Sequence, residues 1–467
     1  MPNPTTEPTI VELAESVRSG QVSAVELLDR YLARIEAGNE ALNAFVHLDP
    51  DLARRDAEAV DAVVAAGGDP GPLAGVPLGV KDLHDCEGMP TSHGSLWFKG
   101  GPPAAADDID VARLRAAGCV PVGKTAAPEF GILSFCRTKA WGVTRNPWDL
   151  ERTPGGSSSG TAAAVSAGLI PLGTASDGGG SIRSPAAFCG LVGHKGSFGR
   201  VPHPAPMTSQ TSVVGVLTTT VADTARCLDV QAGPDPTDRT SLPPAGVVYE
   251  DAIETLDVAG LVARWSVDLG FVDHVDAEVA ELARAAAVRL GEAAALRLDD
   301  DPVRFADATR VWLQSGALSS WAMDGVDERW PDRAGELMGF TRQGFESGGE
   351  LTAVQLGRVA RRRFLFEQEV AELFSDVDVL LTPTTAVPAF AAEGPPPGGA
   401  MATPFAMIAN LFGSPSTTVP CGVTSGGLPV GLLINARHHR DDIALRLARI
   451  SEQATPWPRF AVIEPPP

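Results

Sequence analysis

The sequence has 467 residues, of which 44% are hydrophobic and 20% are charged, and its formal net charge is −21. This length and composition predict a globular protein with two or three domains or one large α/β domain, and the acidic charge disfavours the binding of nucleic acid. The chain has no apolar run long enough to cross a bilayer and no secretory signal pattern, so we expect a cytoplasmic protein that does not bind a membrane.

Hydrophobic periodicity in the first half of the chain predicts alternating helices and strands. One helix is predicted over residues 10–18, and a second begins at the capping box of Ser23 and Glu26 and continues to about Glu36. The other predictions in this half are helices over 50–66, 108–117, 160–168 and 181–188, and strands over 75–82, 119–125 and 169–175. This alternation is typical of a layered α/β sheet.

The second half carries fewer clear signals. After a proline-rich loop we predict a strand over 260–270, a helix over 275–294, strands over 376–388 and 427–437, and a mobile surface loop over 391–404. Four arginines at helical spacing, close to Glu367 and Glu369, predict a solvated helix face rather than a phosphate site; they are Arg358, Arg361, Arg362 and Arg363. No boundary divides the chain sharply, and we expect a single domain over residues 1–467.

Two further patterns exclude other classes of protein. The segment from Gly118 to Thr125 matches the phosphate-loop pattern G-x-x-x-x-G-K-T, but its middle residues are apolar and Pro121 has no N–H, so it predicts a buried strand instead. The six cysteines show neither C-x-x-C nor Cys/His metal spacing. We therefore expect free, mostly buried thiols, no metal and no cofactor.

Two glycine- and serine-rich segments are candidates for chemistry. The first is TPGGSSSGTA, which contains Ser157, and the second is SDGGGSIRS, in which Ser181 follows three glycines. Consecutive glycines let backbone amides converge on an anion, so a serine hydroxyl beside them could attack a carbonyl whose developing oxyanion the amides hold. Taken alone, each segment is more typical of a flexible turn or a helix cap than of a catalytic site.

A serine nucleophile requires a base. The histidines that are candidates by position lie in no triad-like context; they are His84, His93, His194 and His203. Lys81 ends an apolar strand, where burial would lower its pKa and let it act as a neutral base. The alternative is that Lys81 pairs with Asp82 or Asp85 at the strand end.

These segments resemble the amidase signature family. The resemblance rests on PLAGVPLGVKD, VPVGKTAAPEFG, the run from TRNPWD to GLVGHKG, and ANLFGSPSTTVPCGVTSGGLPVGLLINAR, and it covers roughly residues 8–450. It implies an α/β fold with a large central mixed, twisted β-sheet flanked by helices on both faces. It also implies that residues 60–235 hold the catalytic core.

The resemblance implies a role for each candidate residue. Lys81 would be the base, Ser157 the bridging serine after a cis peptide bond, and Ser181 the nucleophile. The backbone amides of four residues would form the oxyanion hole: Gly178, Gly179, Gly180 and Ser181. Asp177 and Arg183 would hold the glycine loop. Ser158 and Ser159 are assigned to loop structure, and the alternative for Ser158 is that it supports Lys81.

The sequence departs from the family pattern at a few positions near the site. Ser176 stands where the family often has threonine, Gly178 where it often has an apolar residue, and Ala126 where it has asparagine. The family segment GLKP reads GHKG here, with His194 and Gly196. None of these changes removes a member of the predicted triad, so they put the substrate in question rather than the chemistry.

The function that the resemblance implies is hydrolysis of a small amide or carbamate through an acyl-enzyme. The alternative is the glutaminase subunit of a tRNA-dependent amidotransferase, which the acidic charge disfavours. Residues 300–345 are rich in large apolar side chains and could form a substrate pocket or lid, or ordinary core helices; they include Trp312, Trp321, Met323, Trp330, Met338 and Phe340. We expect a small-molecule substrate and a monomer or homodimer.

Overall fold

A computed structural model describes residues 7–203, 209–316, 319–323, 325–399 and 401–461. The helices of these residues are α1 Ile10–Arg18, α2 Ala24–Leu42, α3 Pro50–Ala65, α4 Ile109–Ala116, α5 Ser159–Ser166, α6 Arg183–Cys189, α7 Val221–Gln231, α8 Tyr249–Thr255, α9 Ala277–Ala293, α10 Thr309–Gly316, α11 Gly339–Gly349, α12 Ala353–Asp376, α13 Met407–Phe412 and α14 Asp441–Ala454. The strands are β1 Phe45–Leu48, β2 Pro77–Lys81, β3 Val120–Thr125, β4 Arg137–Thr138, β5 Gly142–Val143, β6 Leu172–Asp177, β7 Val192–Lys195, β8 Val213–Thr218, β9 Val262–Trp265, β10 Arg297–Asp299, β11 Val379–Pro383, β12 Ser416–Val423 and β13 Pro429–Ala436.

The described strands form one 11-stranded sheet in the order β1-β3-β2-β6-β8-β7-β12-β13-β11-β9-β10, and a small hairpin of β4 and β5. The pairs β2–β3, β2–β6, β9–β11 and β9–β10 are parallel, and the other pairs of the large sheet are antiparallel. The sheet is therefore mixed, as the resemblance implies.

Burial along the strands shows that both faces of the central sheet are covered. Every residue of β2, β3, β8, β11 and β13 is buried, and successive side chains of a strand point to opposite faces. Helices pack on these faces: α5 contacts β2, β3 and β6, while α9 and α14 contact β12 and β13. The predicted α/β fold with a helix-flanked mixed sheet is confirmed.

The predicted elements differ from the observed ones mainly at their ends. The helix from Ser23 continues to Leu42 rather than Glu36, because apolar residues on its buried face continue to Leu42. The strand predicted over 260–270 is restricted to β9. The segment from Gly118 to Thr125 forms β3, and Lys124 is buried with its Nζ bonded to the Thr91 hydroxyl at 2.8 Å, so the strand prediction is confirmed.

Two predictions about exposed segments are corrected. The loop over 391–404 is not wholly at the surface, because Ala392, Ala402 and Thr403 near its two ends are buried. Three of the four arginines on α12 are exposed as predicted, but Arg363 is half-buried and donates hydrogen bonds to the backbone oxygens of Gln210 and Leu411. It fastens α12 to neighbouring loops, which helical spacing cannot reveal.

All six cysteines are free and buried, as predicted. Among the helices of the described residues, none combines the length and the apolar character that crossing a membrane requires.

Candidate active site

Lys81 lies at the carboxyl end of β2, and its side chain is fully buried. Its Nζ lies 2.9 Å from Ser157 Oγ, 2.9 Å from Ser158 Oγ and 3.0 Å from Ser176 Oγ. The amine is thus surrounded by hydroxyl groups that can both donate and accept hydrogen bonds. Such a shell solvates a neutral amine and still lets it exchange protons.

The ion pair considered as the alternative for Lys81 is not formed. The Asp82 carboxylate accepts hydrogen bonds from the backbone amides of Ser92 and Gly94, at 2.9 and 3.2 Å. The described hydrogen-bond partners of Lys81 Nζ are all serine oxygens. The lysine therefore lacks the contact carboxylate that would keep it charged.

Burial has a direct consequence for the charge of Lys81. Removal from water lowers the pKa of Lys81 to about 7, against an opposing effect of the negative charge of Asp177. At neutral pH a large fraction of the amine is therefore uncharged. A lysine in this state can accept a proton, which a surface lysine cannot do at this pH.

The three serines of the run at 157–159 do not make the same contacts. Ser157 follows a cis peptide bond after Gly156, as the resemblance implies. Ser157 and Ser158 both place their hydroxyls against Lys81, whereas Ser159 donates to the Gly155 backbone oxygen at 2.5 Å at the start of α5. Two of the three serines therefore belong to the polar shell of the lysine.

Gly156 allows this segment to pack closely. A Cβ at Gly156 would lie 2.5 Å from the backbone oxygen of Leu133. The close approach of the two chain segments leaves space only for glycine, and it places the serine run against the end of β2.

Ser181 lies at the end of the glycine loop, which we define as residues 177–181. Its backbone oxygen accepts a hydrogen bond of 3.3 Å from the Ser158 amide, which joins the two predicted segments. Among the described hydrogen bonds, none involves the hydroxyl of Ser181, and the residue is partly exposed. Lys81 and Ser157 are thus directly hydrogen-bonded, while Ser181 is joined to the serine run through the backbone of Ser158 and has no described hydrogen bond to Ser157.

A buried ion pair holds the two ends of the glycine loop together. Asp177 and Arg183 are fully buried and make two hydrogen bonds, Arg183 Nη2 to Asp177 Oδ1 at 2.8 Å and Nε to Oδ2 at 2.9 Å. Burial opposes ionisation, but the charge of Arg183 and hydrogen bonds from Arg183 and Asn410 hold the pKa of Asp177 well below its usual range. The loop is therefore closed by a permanently charged, bidentate pair.

The four predicted oxyanion-hole amides are not equivalent. The Gly180 amide donates to Asp177 Oδ1 at 2.7 Å. Among the described hydrogen bonds the amides of Gly178, Gly179 and Ser181 have no protein acceptor. Three amides therefore remain available to an oxyanion, and the fourth is engaged within the loop.

Several residues at the site were missed at the level of sequence. Asn410 of α13 is buried, and its Nδ2 donates to the Asp177 backbone oxygen and to Asp177 Oδ1, both at 2.9 Å, while its Oδ1 accepts from Arg183 Nη2 at 2.6 Å. Thr403 Oγ1 donates to the Gly179 backbone oxygen at 3.2 Å. Asn410 lies within a segment that carries the resemblance, but neither residue has a neighbouring pattern that signals its role.

Two of the four candidate histidines, His84 and His194, are engaged elsewhere. His84 Nδ1 lies 2.9 Å from Asp110 Oδ2, and His194 Nδ1 lies 2.8 Å from Thr417 Oγ1. Both pairs are buried. Lysine rather than histidine is therefore the base that the geometry offers to the serines.

Comparison with known proteins shows the family of this chain. The sequence model of the amidase family matches residues 26–445. An acylamidase of Rhodococcus erythropolis is 36% identical over 458 residues, covering 96% of this chain and 95% of that protein. A glutamyl-tRNA(Gln) amidotransferase subunit of Synechococcus sp. (strain RCC307) is 36% identical over 479 residues, covering 94% of this chain and 96% of that protein.

The solved structures that resemble this chain include a bacterial aryl acylamidase belonging to the amidase signature family. It superposes with a TM-score of 0.90 at 26% sequence identity, covering 97% of this chain and 98% of that one. The likeness therefore extends over nearly the whole fold and is not confined to the glycine- and serine-rich segments.

Proposed function

This chain belongs to the amidase signature family of enzymes that act on C–N bonds, and from that premise we propose that it hydrolyses a small amide or carbamate through an acyl-enzyme on Ser181. The observation that carries the proposal is the 2.9 Å contact between Lys81 Nζ and Ser157 Oγ in a fully buried position. An amine with a pKa of about 7 at that place can serve as a base and then as an acid.

In the proposed acylation, Lys81 accepts the proton of Ser157 while Ser157 accepts the proton of Ser181. Ser181 Oγ then bonds to the carbonyl carbon of the substrate, and the carbonyl oxygen becomes an oxyanion. This step requires the Ser181 hydroxyl to come within hydrogen-bonding distance of Ser157 Oγ when substrate binds, since catalytic contacts often tighten only in the complex.

The proposed oxyanion donors are the amides of Gly178, Gly179 and Ser181. They already carry no protein acceptor among the described hydrogen bonds, so they need not break one to receive the negative charge. Donors that are preorganised in this way stabilise a transition state more than mobile water does. We leave the Gly180 amide out of the proposed set because it donates to Asp177.

Breakage of the C–N bond completes the acylation. The proton held by Lys81 passes through Ser157 to the leaving nitrogen, the amine departs, and the acyl group stays on Ser181 Oγ. Water then attacks the ester carbonyl and gives its proton to the same relay, which returns a proton to Ser181 as the acid is released. The lysine ends each cycle in the neutral state in which it began.

An aromatic cluster beside the site supports aryl substrates. The centroids of neighbouring rings stand 5.3–6.1 Å apart, and its members are Trp97, Phe98, Phe130, Trp321, Trp330 and Phe345. Phe130 precedes Gly131, where an added Cβ would lie 3.3 Å from Ser157 Oγ. We propose that residues 300–345, which supply Trp321 and Trp330, shape a pocket for hydrophobic acyl or aryl groups.

The second candidate function is that of a glutaminase subunit, favoured by the similarity to the glutamyl-tRNA(Gln) amidotransferase chain. That function needs partner chains and a charged tRNA. The net charge of −21 disfavours contact with a phosphate backbone, and we propose instead an enzyme that acts as a monomer or homodimer without nucleic acid.

The experiment is a hydrolysis screen with acyl p-nitroanilides, aliphatic amides, aryl carbamates and glutamine. We expect turnover of anilides or carbamates and none of glutamine, and we expect Ser181→Ala to lose at least about 10³-fold in kcat. Ser166→Ala is the control for removal of a serine hydroxyl outside the site, because the Ser166 hydroxyl is buried and donates to the Cys189 backbone oxygen at 2.8 Å.

The outcomes separate the two functions. Glutamine hydrolysis without anilide turnover would favour the glutaminase. Full activity of Ser181→Ala would overturn the acyl-enzyme on that residue.

A further inference from the structure

The carbonyl groups of the glycine loop are each held by a different part of the chain. The Asp177 oxygen accepts from Asn410 Nδ2 at 2.9 Å, and the Gly178 oxygen accepts from Trp312 Nε1 at 2.7 Å. The Gly179 oxygen accepts from Thr403 Oγ1 at 3.2 Å. Each of these hydrogen bonds fixes the plane of one peptide group.

Fixing a carbonyl also fixes the amide that follows it. In a trans peptide the C=O and the N–H of the next residue lie in one plane and point in opposite directions. The cis bonds of the described chain do not include those of the glycine loop. The hydrogen bond from Trp312 to the Gly178 oxygen therefore turns the Gly179 N–H away from the indole, and that N–H has no protein acceptor among the described hydrogen bonds.

The Trp312 ring is itself held tightly. It packs against the apolar cluster that contains Phe305, Phe366 and Met407. On its other side, a Cβ added to Gly179 would lie 2.2 Å from Trp312 Cζ2, so the ring covers the loop at contact distance. The indole therefore packs between the apolar cluster and the glycine loop.

We propose that Trp312 is a positioning residue that aims the Gly179 amide at the oxyanion. This inference rests on the proposed function, and it assigns a role in transition-state stabilisation to a residue of α10, far along the chain from the serines and the lysine. Without the indole N–H, the Gly178–Gly179 peptide can rotate, so the Gly179 amide is no longer a fixed donor. This loss affects the transition state, because negative charge develops on the carbonyl oxygen only there.

The test is Trp312→Phe, assayed on the best anilide from the screen. We expect kcat to fall about 10- to 100-fold while KM changes less than about threefold, because the donor acts in the transition state. The inhibition constant of a trifluoromethyl ketone with the same acyl group, which forms an oxyanion on the nucleophile, should rise by the same factor as kcat/KM falls.

A second substitution keeps the test valid if Trp312→Phe does not fold. Incorporation of 3-benzothienylalanine at position 312 replaces the ring N–H by sulfur and keeps the bicyclic ring. We expect the same loss of kcat with an unchanged melting temperature. A merely structural role of the ring would leave kcat of this variant at the wild-type value.

Thr403→Val is the comparison within the same loop. It frees the Gly179 oxygen, but the Gly180 amide of that peptide is already held by Asp177. We expect less than about a threefold loss of kcat. Trp148→Phe is the matched tryptophan control, because its indole donates to the Cys189 backbone oxygen at 2.9 Å, away from the glycine loop.

The results that would overturn the inference are distinct from those that would overturn the proposed function. Wild-type kcat and inhibitor affinity in both variants at position 312 would refute the role of Trp312, as would an equal loss in Thr403→Val. If Ser181→Ala is inactive and Trp312→Phe has normal activity, only this inference is refuted. If Ser181→Ala is active, the proposed function itself is refuted.

Discussion

The pH dependence of catalysis is the sharpest consequence of the burial of Lys81. Burial lowers the pKa of Lys81 from 10.5 to about 7, which favours the neutral form by about 5 kcal/mol relative to water. Only the neutral form accepts the proton of Ser157. We therefore expect kcat/KM to rise as pH increases through 7 and to reach a plateau above about pH 8.

The size of the effect follows from the same pKa. With a pKa of about 7, roughly 10% of the lysine is neutral at pH 6 and roughly 90% at pH 8. The expected change in kcat/KM between these values is about tenfold. The assay is initial-rate hydrolysis of an acyl p-nitroanilide at substrate concentrations well below KM, in buffers of constant ionic strength from about pH 5 to pH 9.

A second buried lysine provides the control. Burial, followed by the positive charge of Arg183, lowers the pKa of Lys195 to about 7 as well. Lys195 Nζ donates to the Gly196 oxygen at 2.9 Å and makes no described hydrogen bond to the serines. We expect Lys195→Met to keep the limb near pH 7 and Lys81→Met to lose activity at every pH.

Two results would refute this reasoning. The first is a kcat/KM that is flat from about pH 5 to pH 9, because no group on the relay would then titrate in the range that burial predicts. The second is a limb that disappears in Lys195→Met while Lys81→Arg stays active, because an arginine at position 81 cannot deprotonate.

Three further predictions concern stability and positioning. The folded state of the wild type binds fewer protons than the unfolded state between pH 7 and 10.5, because the pKa of Lys81 is lowered on folding. From pH 7 to pH 9, the free energy of unfolding of the wild type, measured in urea, should therefore rise by about 2 kcal/mol relative to that of Lys81→Met. An equal dependence of this free energy on pH in the two proteins would contradict the prediction. Arg183→Met leaves the buried Asp177 carboxylate without its partner and should lower the free energy of unfolding by about 3–5 kcal/mol; a loss below about 1 kcal/mol would show that the pair does not hold the loop. Asn410→Leu removes the donor to the Asp177 backbone oxygen and should reduce kcat at least about tenfold. Asn39→Ala is the control, because the Asn39 side chain makes hydrogen bonds to backbone atoms of Ala44 and Phe45. It should lower the melting temperature and leave kcat unchanged.

The sequence predicts the elements that carry strong local signals. The capping box at Ser23 begins α2, and apolar runs place β2 and β3 within a few residues of their true ends. Strands such as β7, β8 and β12 were not predicted. β7 is a short, glycine-containing segment whose residues are all buried, and its stability comes from its neighbours β8 and β12 in the sheet. Local periodicity carries no information about such neighbours.

The candidate site was likewise predicted only in part from the sequence. Lys81 and Ser157 were predicted from residue types and family segments, and their contact is present in the structure. The hydrogen bond from Lys81 Nζ to Ser176 Oγ was missed, although Ser176 is adjacent to Asp177 in the sequence. That contact depends on the register of β6 beside β2, in which Leu78 lies opposite Leu172, and a single sequence does not specify the register of non-adjacent strands. The catalytic roles of these residues stay predictions.

Some of the groups that hold the glycine loop lie outside the predicted catalytic core. The residues proposed to react lie between Lys81 and Ser181, inside the predicted core over 60–235, and so does the Asp177–Arg183 pair that closes the glycine loop. Three groups that bond carbonyl oxygens of the loop come from outside it, on Trp312, Thr403 and Asn410. Three amides can bind an oxyanion only if their peptide planes are fixed, since a mobile donor must lose entropy in the transition state. The core over 60–235 therefore contains the reacting groups but not all of the groups that hold the carbonyl oxygens of the loop. Under the role proposed for Trp312, we expect substitutions on α10 to alter kcat through this tryptophan, and not only the affinity for substrate.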